Sequence, residues 1–90
     1  MTLLNADEIA AGLPEGWRHE DGVLVHDRTL DDFAGAMAFA NAVAGAAEEA
    51  NHHPDILVHG WNRVRLTLST HSEGGVTALD LALAGRIAGL

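Results

Sequence analysis

The sequence predicts an α+β domain: a four-stranded antiparallel sheet with three helices packed on one face, in the order α-β-β-α-β-β-α. Three observations carry that expectation. Asp21-Gly22 lies between two segments of strand character, the alanine-rich stretch from Phe33 to Ala47 has helical spacing, and Val64, Leu66 and Leu68 alternate with polar neighbours. Strand pairs that close as hairpins, with helices that must bury one side, assemble as a sheet covered on one face.

Asn5, followed three residues later by Glu8, is a capping pattern that opens a first helix. Ile9 and Leu13 give it a buried side before Pro14 and Gly16 end it. Trp17-Arg18-His19-Glu20 and the segment Val23 to Leu30 form the first hairpin, because Asp21-Gly22 suits the positive φ of a tight turn. The stretch from Phe33 to Ala47 carries no charge and must stop by Pro54. At 100° per residue, Phe33, Ala36, Met37, Ala40, Val43, Ala44 and Ala47 share one broad face, with Phe39 at its edge, and that face is expected to cover the sheet. The other side, Ala34, Gly35, Ala38, Asn41, Ala42, Gly45 and Ala46, is small where a solvated helix shows lysine and glutamate. A helix of another subunit is expected to pack there. The run falls short of the ~20 strongly apolar residues of a membrane span. Ile56-Leu57-Val58 and Val64 to Thr70 are two further strands joined near Gly60-Trp61-Asn62, with His71 in phase with the polar face. After Gly74-Gly75, Thr77 and Asp80 form a second capping pattern, and Leu79, Leu83, Ile87 and Leu90 are expected to face the core.

Ninety residues make a single domain, 1–90, with no internal repeat or linker. A chain this short buries only about 60 to 70% of its unfolded surface, so a homo-oligomer is expected. The net charge is -8, with five arginines and no lysine, so no basic stripe exists to neutralise phosphates and direct nucleic-acid binding is not expected. Cysteine is absent, which excludes disulfides and thiolate chemistry. The amino-terminal residues lack the basic start and apolar core of a signal peptide, and a cytoplasmic protein is expected.

Histidine gives and takes protons near neutral pH. His52 and His53 are adjacent where the second helix must stop, and His71 is expected to end the fourth strand. Glu48 precedes His52 by four residues, so its carboxylate is expected to share a helix face with that ring and orient it. Simpler roles exist for each residue. His52 at a helix carboxyl end gains about 0.3 to 1 kcal/mol from the dipole when charged; Asp80 is a helix cap; Trp61 is either a core aromatic or a surface for stacking a flat ring. His19, His26 and His59 read as solvent-facing or core-edge residues. Three histidines with Glu48 or Asp80 could supply zinc ligands, but adjacent histidines aim poorly at one ion, so neither a metal nor another cofactor is expected.

The run Glu48-Glu49-Ala50-Asn51-His52-His53-Pro54, then Leu68 to Thr77, then Asp80, resembles the pterin-4a-carbinolamine dehydratase family, and the resemblance spans roughly the whole chain. It implies the same fold, pairing into dimers and tetramers, and removal of water from a 4a-hydroxytetrahydropterin to give quinonoid dihydropterin. By position, His52, His53 and His71 match the family's active-site histidines, Glu48 its preceding carboxylate and Asp80 its aspartate after the glycine loop. On that basis His53 and His71 are expected to transfer protons and touch the pterin, His52 with Glu48 to serve the second proton step, and Ser69 and Thr70 to dock the pterin through backbone groups. Trp61 falls near a family tyrosine and is placed with the substrate-binding residues. The chain departs from animal members at Ile56-Leu57, where they carry an aromatic pair, and is one residue longer between Pro54 and His71. Relatives also serve as dimerisation or assembly modules, a role that predicts a decayed pocket. Here all five site residues are present.

Overall fold

Asn5 starts the first helix. Its side chain accepts from the backbone of Glu8 at 2.8 Å while Glu8 returns a bond to the Asn5 N–H at 3.0 Å, which satisfies two donors that a helix start otherwise leaves open. The computed structural model describes residues 2–90. In it α1 spans Ala6–Gly12, β1 Trp17–Glu20, β2 Val23–Thr29, α2 Phe33–Ala50, β3 Asp55–His59, β4 Arg63–Leu68 and α3 Ala78–Ala88, with a 3-10 turn at His71–Glu73. The expected order of helices and strands is thus the observed one.

The strands lie in the order β1-β2-β4-β3, all antiparallel. Asp21 and Gly22 take φ values of 49° and 80°, the doubly positive turn that matches strand twist in a two-residue hairpin. On the helix side, Leu24, Val64, Leu66 and Leu68 are fully buried and meet Ile9 of α1, Phe39, Val43 and Ala47 of α2, and Leu83, Ala84 and Ile87 of α3 in one core. The opposite face is open. There Asp27 accepts two bonds from Arg65, at 2.7 and 3.1 Å, and one from Arg18 at 2.8 Å.

Both core-facing stripes are rotated from the expected ones. In α2 the buried residues are Ala36, Phe39, Ala40, Val43, Ala46 and Ala47, while Phe33 and Met37 are 54% and 38% exposed and Ala44 is exposed too. Phe39 draws the helix round: the Arg28 guanidinium sits 4.1 Å from its ring centroid and His26 meets it edge-on at 6.4 Å. In α3 the core takes Asp80, Leu83, Ala84 and Ile87 and leaves Leu79 exposed, and Leu90, past the helix end, is exposed too. His26 is itself buried, stacked on Trp17 and bonded through Nδ1 to the Gly16 carbonyl at 2.8 Å.

Candidate functional site: a histidine cleft at one end of the sheet

The end of α2 sets the site. Asn51 adopts the left-handed conformation, φ 49° and ψ 42°. Its N–H reaches the Glu48 carbonyl at 3.2 Å and the His52 N–H reaches the Ala47 carbonyl at 3.1 Å, the paired bonds of a Schellman helix end. Asparagine tolerates that backbone, and Pro54 two residues beyond His52 prevents the helix from resuming. His52 and His53 therefore leave the helix axis and turn toward different partners.

The expected pairing of Glu48 with His52 is not the one observed. Glu48 Oε2 lies 2.5 Å from His53 Nε2, and His52 Nε2 lies 2.6 Å from Asp80 Oδ1. The four-residue rule holds only while both residues are helical, and His52 stands past the helix end. The two pairs also differ in setting. His53 and Glu48 are 57% and 76% exposed, where water competes for both; His52 and Asp80 are 12% and 0% exposed.

Asp80 combines the two roles the sequence allows it. As the third residue of α3 it accepts from the Thr77 N–H at 2.8 Å and closes a capping box. Its Oδ2 also accepts from Thr70 Oγ1 at 2.7 Å, while Oδ1 faces His52. Thr70 is buried and its backbone is committed: its N–H bonds the Gly75 carbonyl at 2.8 Å, and its carbonyl accepts from Glu73 and Gly74 at 3.0 Å each. The expected backbone docking at Thr70 is therefore replaced by a side-chain role behind the site. His71 does not end β4, which stops at Leu68, but opens the 3-10 turn, exposed and without a side-chain hydrogen bond to a described residue.

These pieces enclose a cleft of about 360 Å³ lined by Asn51, His52, His53, Ser69, Thr70, His71, Ser72 and Leu79, within the ~300–1,000 Å³ usual for small-molecule sites. All three candidate histidines thus share one cavity wall. Trp61 is elsewhere. It sits 60% exposed in the β3–β4 turn with φ 58°, a strand length of about 17 Å from the cleft end of that hairpin, and it does not line the cleft of its own chain. Leu79, read from sequence as core, instead forms an apolar wall, and Asn51 and Ser72 join it. Asn51 before His-His-Pro was the available signal for the first; nothing local distinguishes Leu79 from its buried neighbours. A second groove of about 230 Å³ on the open sheet face is lined by Asp27, Arg63, Arg65 and His59 among others. Its Asp27 carboxyl is held at about 2, well below its ordinary 3.8, chiefly by the Arg65 hydrogen bond, which makes it an ion-pair partner and not a proton shuttle near neutral pH. Among the described residues no cluster of histidine and carboxylate side chains converges as a metal site. No helix of the described residues is long and apolar enough to cross a membrane.

An antiparallel sheet with helices on one face and a cleft edged by three histidines, two of them bonded to carboxylates, defines a small α+β domain with a histidine-lined cleft at one end of the sheet. The sequence model of the family described as "Pterin 4 alpha carbinolamine dehydratase" matches residues 2–90, and the chain belongs to that family. Relatives carrying the provisional name pterin-4-alpha-carbinolamine dehydratase include one from Thermomicrobium roseum, 47% identical over 100% of this chain and 98% of the relative. Another, provisionally numbered 2, from Gloeobacter violaceus is 54% identical over 97% of this chain and 100% of the relative. Among solved structures, a transcriptional coactivator/pterin dehydratase from Brucella melitensis superposes with a TM-score of 0.90 at 34% identity, covering 98% of this chain and 97% of that one. A pterin dehydratase-like protein described as a RuBisCO assembly factor in the alpha-carboxysome shares the fold, with a TM-score of 0.66 at 24% identity over 81% of this chain and 83% of that one.

Proposed function

We propose that this chain is a hydro-lyase that dehydrates a 4a-hydroxytetrahydropterin to the quinonoid dihydropterin and so supports tetrahydropterin recycling. The observation that carries the reading is the placement of His52, His53 and His71 on one cleft. The reaction needs two proton movements and no redox change. One group protonates the 4a-hydroxyl as the C4a–O bond breaks; another removes the N5 proton, and the freed electron pair forms the C4a=N5 double bond. Each such transfer contributes roughly 10²- to 10⁴-fold when the group is well placed. His53 and His71, at the exposed mouth, serve the hydroxyl and contact the pterin. His52, held by Asp80, takes the N5 proton, and Glu48 acts through His53. Ser69 and Leu79 contact the ring, which needs a polar edge and an apolar wall. This assignment keeps the three histidines in catalysis but moves Glu48 from His52, its expected partner, to His53 and gives His52 the Asp80 carboxylate.

The test is an ultraviolet assay of carbinolamine dehydration. The parent accelerates it, and His53→Ala or His71→Ala lowers the rate by at least about tenfold. Variants equal to the parent in rate and affinity would refute the histidine roles. A parent without activity would favour the alternative, a non-catalytic dimerisation or assembly module.

A further inference from the structure

Behind Asp80 stand two hydroxyls with almost no access to solvent: Thr70 is 6% exposed and Thr77 0%. Each has one hydrogen to donate. Two donors, the Thr77 N–H and the Thr70 hydroxyl, converge on Asp80 Oδ2, and His52 Nε2 lies 2.6 Å from Oδ1. Thr70 Oγ1 donates to Asp80 Oδ2, which commits its only hydroxyl hydrogen. The 2.8 Å contact between the two hydroxyls must then run from Thr77 to Thr70, and Thr77 Oγ1 in turn accepts from the Leu79 N–H at 3.3 Å. The chain of bonds has one direction. It starts at the amino end of α3 and terminates on Oδ2, which the Thr77 N–H also reaches, so that Oδ1 is the oxygen turned toward His52.

We propose that Thr70 and Thr77 are positioning residues whose one-way hydrogen-bond relay orients Asp80, so that neutral His52 carries its hydrogen on Nε2 and keeps Nδ1 bare as the proton acceptor in the cleft. The which-nitrogen question matters because a base with its proton on the wrong nitrogen cannot accept one where the ligand lies. Nδ1 has no hydrogen-bond partner among the described residues, and the ring lines the cleft. The relay also explains why Thr70 is buried in a loop whose neighbours Ser69 and His71 are not: its side chain faces away from the cavity it borders. In its catalytic consequence the inference rests on the dehydratase reading; the tautomer does not.

Long-range ¹H–¹⁵N correlation spectra of the uniformly labelled protein, recorded where the rings are neutral and assigned with a His52→Gln variant, read the tautomer directly. The expected result is the Nε2–H form of His52 in the parent, retained in Thr70→Ser and replaced by a mixture in Thr70→Val. In the dehydration assay Thr70→Val should lose about tenfold in kcat with little change in KM, and Thr70→Ser should restore it. A parent with the Nδ1–H form overturns the proposal. So does a Thr70→Val protein that keeps either the parent tautomer or the parent kcat. If Thr70→Val melts below the assay temperature, Thr70→Ala takes its place and the parent spectrum decides independently. The expected tautomer in a parent that dehydrates no carbinolamine would sink the proposed function and leave the relay standing.

Discussion

Asp80→Ala removes, at a fully buried position, the carboxylate that accepts from the Thr77 N–H and the Thr70 hydroxyl and contacts His52 Nε2. The Thr77 N–H and the Thr70 hydroxyl are both enclosed, and each buried donor left unsatisfied costs about 1–3 kcal/mol. His52 is 12% exposed and recovers part of its bond from water. The substitution should therefore destabilise the domain by about 2–4 kcal/mol, a large share of the roughly 5–13 kcal/mol expected for a chain of this length. For so small a domain that lowers the melting temperature by between about 10 and 30 °C. Asp80→Asn is the informative companion. Its carbonyl oxygen still accepts from Thr77 and Thr70, so the loss should stay near 1 kcal/mol. Its amide, however, places a donor against His52 Nε2 and forces that nitrogen to accept, so activity should fall about a hundredfold. Circular dichroism melts at matched protein concentration, paired with dehydration rates, separate the two effects. The reasoning fails if Asp80→Ala melts within about 3 °C of the parent. It fails equally if Asp80→Asn is as unstable as Asp80→Ala or fully active.

Extensive chelator treatment should leave the dehydration rate unchanged, since Nε2 of both His52 and His53 is already bonded to a carboxylate; activity lost and regained with zinc would end the metal-free reading. Ala38 and Ala42 are exposed on α2 beside Phe33 and Met37, and so apolar a surface is expected to meet the same helix of another subunit. Ala38→Arg or Ala42→Glu should shift sedimentation to a smaller species and lower thermal stability; a monomeric parent, or an unchanged oligomer in both variants, would count against that interface. Asp27 ionises more readily folded than unfolded because Arg65 and Arg18 bond it. Its stabilisation is thus fully present above its ordinary value of 3.8 and is lost as pH falls toward about 2. Asp27→Asn should be modestly less stable than the parent at pH 6, by an amount reduced through solvent exposure, and nearly equal to it at pH 2; a gap that persists at pH 2 argues against the ion pairs as its source.

Much of the fold was legible because its signals are local. The Asn5–Glu8 and Thr77–Asp80 caps, the Asp21-Gly22 turn and the alternation of Val64, Leu66 and Leu68 each involve neighbours within a few residues, and each appears as expected. The buried stripe of α2 was less legible. Hydrophobic spacing cannot rank Phe33 or Met37 against Phe39 in so uniformly apolar a helix, and the choice fell to Arg28 and His26 on the sheet, which hold the Phe39 ring. Likewise the sequence marked His52, His53 and His71 as candidates but not their arrangement. The i,i+4 pairing of Glu48 with His52 assumed a helix that Asn51 had already ended.

The sequence by itself determined the order of elements, the hairpin turn at Asp21-Gly22, the stop before Pro54 and which histidines are the candidates for the cleft, because chain geometry and side-chain chemistry act there over short separations. Only the tertiary structure decided that Asp80, 28 residues beyond His52, is its carboxylate partner. It also decided that Thr70 turns its hydroxyl inward, that Leu79 walls the cleft and that Trp61 lies at the other end of a strand. Each of these depends on how α2, β4 and α3 meet. That meeting is set by packing against the shared core and by the need of buried polar groups to find partners, neither of which is encoded in any one segment.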